Sequence, residues 1–416
     1  MGKHPRALDT LIALALALSV LLSRGLAADR FLSWDEPMWA HRSARFLTAL
    51  QDARWGDTLI TGHPGVTTMW GGSLGLWWHS QITGDASRDQ LAAAASMTGI
   101  DVHDDTQMRA LGELVPLAKH GVLFLHAGLA VLCYLLLRQA MERAVAVAAA
   151  LAVLGNPFLL GLSRLLHIDA LAAQFMLLAI IAMLVYQRRR ELLWLGVSGT
   201  ATALAFATKA YAVFLAPCAL LLIGLAPHRD VDASAKPAIR TVTHLFMWGS
   251  AAWLALLVIW PAAAHRPVAV IREVFGLALG YAGDPDAATS TYFLGQQTAS
   301  PGLGFYPLAY LWRATPLSLV GVAAALVMLP WPALWRDKEQ RRMVAALLGY
   351  GLVYTLLISL SAKKFDRYLL PAILAGDVAA AVSLTQLIAK PLGAIKARWA
   401  TSYQAGALTT VALAIQ

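Results

Sequence analysis

The chain has 416 residues, of which 58% are hydrophobic and 14% charged, and its mean hydropathy is +0.60. A soluble domain carries roughly 25% charged residues, so this composition leaves too little polar surface for a water-soluble fold. The net charge of +9 is scattered over short stretches and forms no patch, which argues against a nucleic-acid partner and for membrane topology.

Apolar runs near the ~20 residues needed to span a bilayer recur from end to end. They lie at 8–27, 118–137, 144–162, 170–186, 192–208, 211–226, 241–263, 316–335, 343–361 and 369–388, with a partial run at 405–416. The sequence therefore predicts one all-α polytopic module over residues 1–416, a bundle of about 11 transmembrane helices. The last run is too short to cross, which suggests a truncated C-terminal region. Leu11–Leu22 could serve as the core of a signal peptide with a cleavage site at Gly25-Leu26-Ala27. The alternation of basic loops works only when this run is counted as a span, so it is read as one.

Lys and Arg mark the cytoplasmic side. With Lys3 and Arg6 inside, the cytoplasmic connections carry Arg138 and Arg143, then Arg188, Arg189 and Arg190, then Arg229, Lys236 and Arg240. Arg336, Lys338, Arg341 and Arg342 follow, and finally Lys390, Lys396 and Arg398. The opposite face receives two long segments, 28–117 and 264–315, and two short turns, 163–169 and 362–368. Cys133 and Cys218 both lie in apolar runs and are read as packing residues.

Within 28–117, Met38, Trp39, Arg42, Phe46 and Leu50 recur at helical spacing, and Trp70, Leu74, Trp77 and Trp78 form a second stripe. Such helices either pack on the bundle or lie in the headgroup region as the floor of a lipid-facing cavity. Residues 83–112 are acidic and small, and read as a solvated loop.

The polar groups that could carry chemistry gather on the outer side. Asp35 and Glu36 follow the first span, and His63 precedes the second stripe. Arg164, His167 and Asp169 occupy one outer turn; Lys209 falls at a helix end; Lys363, Lys364, Arg367 and Tyr368 occupy the last outer turn. Each has a plainer reading. Asp35-Glu36 could be solvated loop, His167 and Asp169 a helix cap, and the lysines could snorkel to the interface. Asp377 lies inside an apolar span, where an ionisable group is costly and serves function, packing or topology. Together the segments bring carboxylates and cations to one membrane face, where cations bind phosphate and a carboxylate meets a reacting hydroxyl.

These residues resemble the C-superfamily of glycosyltransferases (GT-C), in particular bacterial relatives of the dolichyl-phosphate-mannose protein mannosyltransferases and the lipid A aminoarabinose transferases. The marks, in order, are Trp34-Asp35-Glu36, Arg164 to Phe175 (RLLHIDALAAQF), Phe206 to Lys209, Tyr292 to Gly295 with Phe305-Tyr306-Pro307, and Lys363 to Pro371 (KKFDRYLLP). Gly62 to Trp70 (GHPGVTTMW) is similar to a group of bacterial members. The resemblance spans about residues 5–390. Lys209 is followed by Ala210 where the family has Gly, and the second acidic motif reads His-Ile-Asp.

The resemblance implies an inverting, nucleotide-free transfer of a sugar from a polyprenyl-phosphate donor to an acceptor hydroxyl of a glycan, lipid or protein. It would take place at the periplasmic face of a bacterial inner membrane. The sequence agrees in lacking a P-loop or a GxGxxG after a strand. Asp35 is the candidate general base. Glu36, His63, Arg164, Lys209, Lys363, Lys364, Arg367 and Tyr368 are candidates to bind the donor phosphate or substrate. Glu36, His167 and Asp169 are candidates to hold Mg²⁺ or Mn²⁺. The competing reading is a lipid-linked sugar or ion transporter, which would place its site near the bilayer midplane on broken helices.

Overall fold

The computed structural model describes residues 4–26, 28–224, 237–283, 291–299, 301–394, 406, 409 and 410. Arg229, Lys236, Lys396, Arg398 and most of the run 405–416 lie outside the described residues.

Helix α1 (His4–Gly25) leads into the first long connecting segment, 28–117. That segment holds α2 (Glu36–Gln51), a 3-10 turn (Trp55–Thr58), α3 (Val66–Thr83), α4 (Asp85–Ser96) and the start of α5 (Asp105–Ala140). The stretch 83–112 is thus largely helical, where the sequence reads as a loop. Its acidic character includes cap chemistry: the Asp104 side chain accepts from the N–H groups of Thr106 and Gln107 at 2.9 and 3.2 Å.

Next come α6 (Arg143–Leu154) and α7 (Pro157–Ser163), bent by 60°, then α8 (Asp169–Arg189) and α9 (Leu193–Thr208). A 3-10 turn (Ala210–Phe214), α10 (Leu215–Gly224) and α11 (Pro237–Ile259) follow. The second outer segment contains α12 (Pro261–His265), α13 (Pro267–Gly283), a hairpin of β1 (Thr291–Phe293) and β2 (Gln296–Thr298), and α14 (Phe305–Arg313). In the hairpin Thr291 faces Thr298, and the turn uses positive φ at Leu294 and Gly295, as a two-residue hairpin loop requires. The chain then runs through α15 (Pro316–Met328), α16 (Lys338–Ser359), a 3-10 turn (Asp366–Leu369) and α17 (Leu370–Ala394).

Each of the ten long apolar runs contains a helix, but the expected count of about eleven spans is not matched. Among the described residues six helices are long and apolar enough to cross a membrane, or up to eight when the pairs α6–α7 and α14–α15 each count as one. Helices α9 and α10 are shorter, because the chain breaks at Lys209.

Burial orders the bundle. The apolar stretch of α8 is 100% buried and that of the span ending in α17 is 89% buried, against 22% for α1 and 6% for α11. A helix that is apolar all round belongs in the centre, and α8 packs against α5, α9, α10 and α17. Helix α3 turns its small residues inward: a Cβ on Gly75 would overlap the Leu117 carbonyl, and one on Gly121 of α5 would overlap that of Gly71. Its Leu74, Trp77 and Trp78 point outward, so this stripe is the exposed face.

Asp377, within α17, joins both bent pairs. It accepts from Asn156 Nδ2 at 2.8 Å and from the Ser318 hydroxyl. Asn156 also caps α7 through the N–H groups of Phe158 and Leu159, and Thr315 caps α15 through Ser318 N–H. This intramembrane carboxylate therefore holds the two breaks together.

Candidate active site

Asp35 sits at the N-cap of α2, but its side chain makes no capping bond. It is left facing the turns that carry His167 and Arg367, with its side chain 39% exposed. His167 Nε2 lies 3.2 Å from Asp35 Oδ2, and His167 Nδ1 lies 3.1 Å from Asp169 Oδ2. The fully buried Asp169 opens α8. Its Oδ1 takes the Lys209 ammonium and, at 3.4 Å, the Tyr211 hydroxyl. Arg367 Nε approaches Asp169 Oδ2 at 3.1 Å, an ion pair without hydrogen-bond alignment, and its Nη2 is 3.9 Å from Asp35.

Aromatic rings wall this cluster. Lys209 Nζ lies 4.1 Å from the Tyr368 ring centroid and 5.0 Å from that of Tyr211. Lys363 Nζ is 3.7 Å from the Tyr281 ring, on whose plane His63 stacks at 5.6 Å. The break at Lys209 needs no glycine: its backbone is extended (φ −155°, ψ 135°) and leads directly into the 3-10 turn, so Ala210 fits.

The local charges set the protonation states. The hydrogen bond from His167 holds Asp35 below the usual carboxylate range, against the opposing effect of burial. For His167 burial works against the charged ring, but Asp169 and Asp35 outweigh it and raise its pKa. His63 is pushed down to about 4 by burial and by the charges of Lys209, Arg42 and Lys363, so it is a neutral imidazole.

The structure gathers Asp35, His167, Asp169, Lys209, Arg367 and Tyr368, with Lys363 and His63 at the rim. Three candidates stand apart. Glu36 is fully buried: its Oε1 meets Lys119 Nζ at 2.7 Å and Leu166 N–H at 2.8 Å, and its Oε2 accepts from Ser33 N–H at 2.6 Å. It fastens α2 to α5 and to the 163–168 turn, and is neither a phosphate nor a metal ligand. Arg164 donates to the Leu26 carbonyl at 2.7 Å, just beyond α1. Lys364 is buried and donates to the Ser361 carbonyl at 2.7 Å, closing the end of α16.

Glu36, His167 and Asp169 do not form the expected metal site. Among the described residues no three His, Cys, Asp or Glu side chains converge to hold an ion, and Asp169 is already met by Lys209, Arg367 and His167. The residues present do not fit Mg²⁺ or Mn²⁺.

Sequence reasoning missed Lys119, Tyr211, Tyr281 and the site role of Arg42, whose charge acts on Asp35 and Tyr281. Lys119 stood just inside an apolar run, where an ionisable residue is itself a signal. Arg42 was legible only as part of the α2 stripe. It lies over the Trp39 ring at 4.6 Å.

This polytopic helical fold has a solved counterpart. The chain is similar over its full length to the crystal structure of ArnT from Cupriavidus metallidurans bound to undecaprenyl phosphate, with a TM-score of 0.58, 15% identity and 71% of that chain covered. Residues 122–264 match the family described as dolichyl-phosphate-mannose-protein mannosyltransferase. No curated protein matches the chain. The family match and the shared fold agree with the resemblance read from the motifs.

The raised pKa of His167 fixes the sign of a pH effect. Its contribution to stability is full below the unfolded value of about 6.5 and is lost as pH rises through the higher folded value. Thermal unfolding in detergent is expected to show stability declining above neutral pH in the wild type. His167→Gln should lack that component; an unchanged pH profile in this variant would contradict a charged His167.

Proposed function

We infer that the protein is an inverting glycosyltransferase that moves a sugar from a polyprenyl-phosphate-linked donor to an acceptor hydroxyl. The observation that carries this reading is the surroundings of Asp35. Its Oδ1 has no hydrogen bond among the described residues, and the cations around it outnumber the carboxylates. Lys209 and Arg367 balance Asp169 and Asp35, while Lys363 and Arg42 remain to receive an anion. The family description, a lipid-phosphate mannosyl donor, and the undecaprenyl phosphate bound to the structural neighbour support a lipid-linked donor. The sugar is a hexose or pentose, the acceptor belongs to a glycan, lipid or protein, and no nucleotide takes part.

In this reading the acceptor hydroxyl gives its proton to Asp35 as its oxygen attacks the anomeric carbon. The bond from that carbon to the lipid phosphate oxygen breaks, and the phosphate leaves with the electron pair. A carboxylate held below its usual pKa is a weak base, so positioning and late proton transfer do most of its work. Lys363, Arg367 and Arg42 stabilise the charge that grows on the phosphate. No step passes through a metal ion.

Three measurements test this. Asp35→Asn should lower transfer from a radiolabelled polyprenyl-phosphate sugar by about 10²–10⁴ while donor binding survives. Turnover at the wild-type rate would sink the role of Asp35. Lys363→Ala or Arg367→Ala should weaken polyprenyl-phosphate binding by about 10- to 150-fold, the range for one charge-assisted contact. Lys364→Ala should cost stability with little change in affinity, and the reverse ranking would remove Lys363 from the site.

The reading also places the protein in a bacterial inner membrane with its N-terminus inside. In a background of Cys133→Ala and Cys218→Ala, cysteines at Leu32 and Ala362 should react with an impermeant maleimide in intact cells. One at Lys338 should react only after lysis. Protection of Leu32→Cys in intact cells would invert the topology.

A further inference from the structure

A second polar cavity lies on the outer side, away from Asp35. It has a volume of about 240 Å³ and is lined by Arg45, Arg54, Asp57 and Arg266 together with Thr48 and Ala95. At Thr48, Arg54 and Ala95 it continues into a groove of about 590 Å³ that adds Arg88, Gln51 and Gln81. Three arginines line the smaller cavity; Arg54 pairs with Asp52 and Asp57, Arg266 Nη2 lies 3.8 Å from Asp57, and Arg45 is left to meet an anion.

The Arg266 guanidinium lies against the 55–58 turn, where a Cβ on Gly56 would come within 2.5 Å of its Nε. The turn is docked on α12: Thr58 Oγ1 accepts from Ala262 N–H at 2.9 Å, and Trp260 Nε1 donates to the Thr58 carbonyl at 3.2 Å. Arg54 is fixed by Asp52 at 3.0 Å and Asp57 at 3.3 Å, and Ala53 before it adopts a positive φ of 54°. Arg45 has no ion pair or hydrogen bond among the described residues.

Two helices connect this cavity to the active site. Helix α2 runs from Asp35 to Arg45, about 15 Å at 1.5 Å per residue. Helix α13 runs from beside Arg266 to Tyr281, about 22 Å on the same measure. The segment between them touches both: a Cβ on Gly65 would overlap the Trp39 ring, and one on Gly62 would lie 2.8 Å from the Glu273 carbonyl. Arg42 and Arg45, three apart on α2, mark the way.

We propose that this cavity binds an anionic group of the acceptor, a phosphate or carboxylate carried on its sugar or headgroup roughly 15–22 Å from the reacting hydroxyl. The proposal rests on the glycosyltransferase reading for the word acceptor, and its test needs no turnover. Binding of glucose 6-phosphate and of glucose would be measured on the full chain in phosphatidylcholine nanodiscs. Glucose 6-phosphate should bind and glucose should not, with affinity falling at least about tenfold in Arg45→Gln and in Arg266→Gln. Asp35→Asn should bind it as the wild type does, which keeps failure here separate from failure of the catalytic reading. Absence of binding, or retention in both arginine variants, would overturn the proposal. So would loss in Lys363→Ala/Arg367→Ala with none in the Arg45 and Arg266 variants, which would assign the probe to the donor site. Competition by phosphatidylglycerol exchanged into the nanodisc would assign the cavity to a membrane headgroup and overturn the acceptor assignment.

Discussion

The carboxylate of Asp169 is the constraint on which this end of the bundle depends. It is fully buried at the start of the most enclosed helix, where an unpaired charge would cost several kcal/mol. Its partners come from three other places in the chain: Lys209 at the end of α9, Arg367 in the turn before α17, and His167 in the turn before α8. Satisfying one charge therefore brings together the ends of both central helices and the break between α9 and α10. Asp35 is the beneficiary, since His167 and Arg367 also reach it and fix where it sits.

Asp35 and Glu36 show how environment divides similar side chains. They are adjacent in sequence and share the same chemistry. Glu36 points into the bundle, where Lys119 and two backbone N–H groups satisfy it fully. Asp35 is partly exposed, with one oxygen against His167 and the other without a hydrogen bond among the described residues. Glu36 is thus committed to holding the bundle, and of the two only Asp35 keeps an oxygen without a hydrogen bond among the described residues. The same logic separates Lys363, which lies over an aromatic ring at the rim, from Lys364, which closes a helix end.

The spans were legible because lipid imposes length and apolarity on every crossing helix, and those are sequence properties. The count was not, because bends at Asn156 and Thr315 and the break at Lys209 shorten helices within runs that remain apolar. The site was legible as a set of polar residues at helix ends. Which member of each neighbouring pair faces the site depends on helix rotation and packing across the bundle, as Glu36 and Lys364 illustrate. Lys119 and Tyr281 were missed for the same reason: their partners lie more than eighty residues away in sequence. The hairpin at 291–298 was missed because three-residue strands leave almost no periodicity to read.

The breaks within the bundle bear on how the protein works. A transporter uses such breaks as binding sites, with unwound backbone and half-helix ends turned toward the substrate. At the two bent pairs the ends are closed from within, while the break at Lys209 belongs to the Asp169 cluster. The Asn156 side chain takes the first N–H groups of α7, Thr315 takes one from α15, and Asp377 joins the two caps through Asn156 and Ser318. Both oxygens of Asp377 are engaged, so this intramembrane carboxylate is a fastener. The charges that remain open lie at helix ends, beside Asp35 and along α2. In the proposed reading such a site receives a lipid phosphate from the bilayer and a hydroxyl from water together, which suits group transfer between two phases better than passage across one of them.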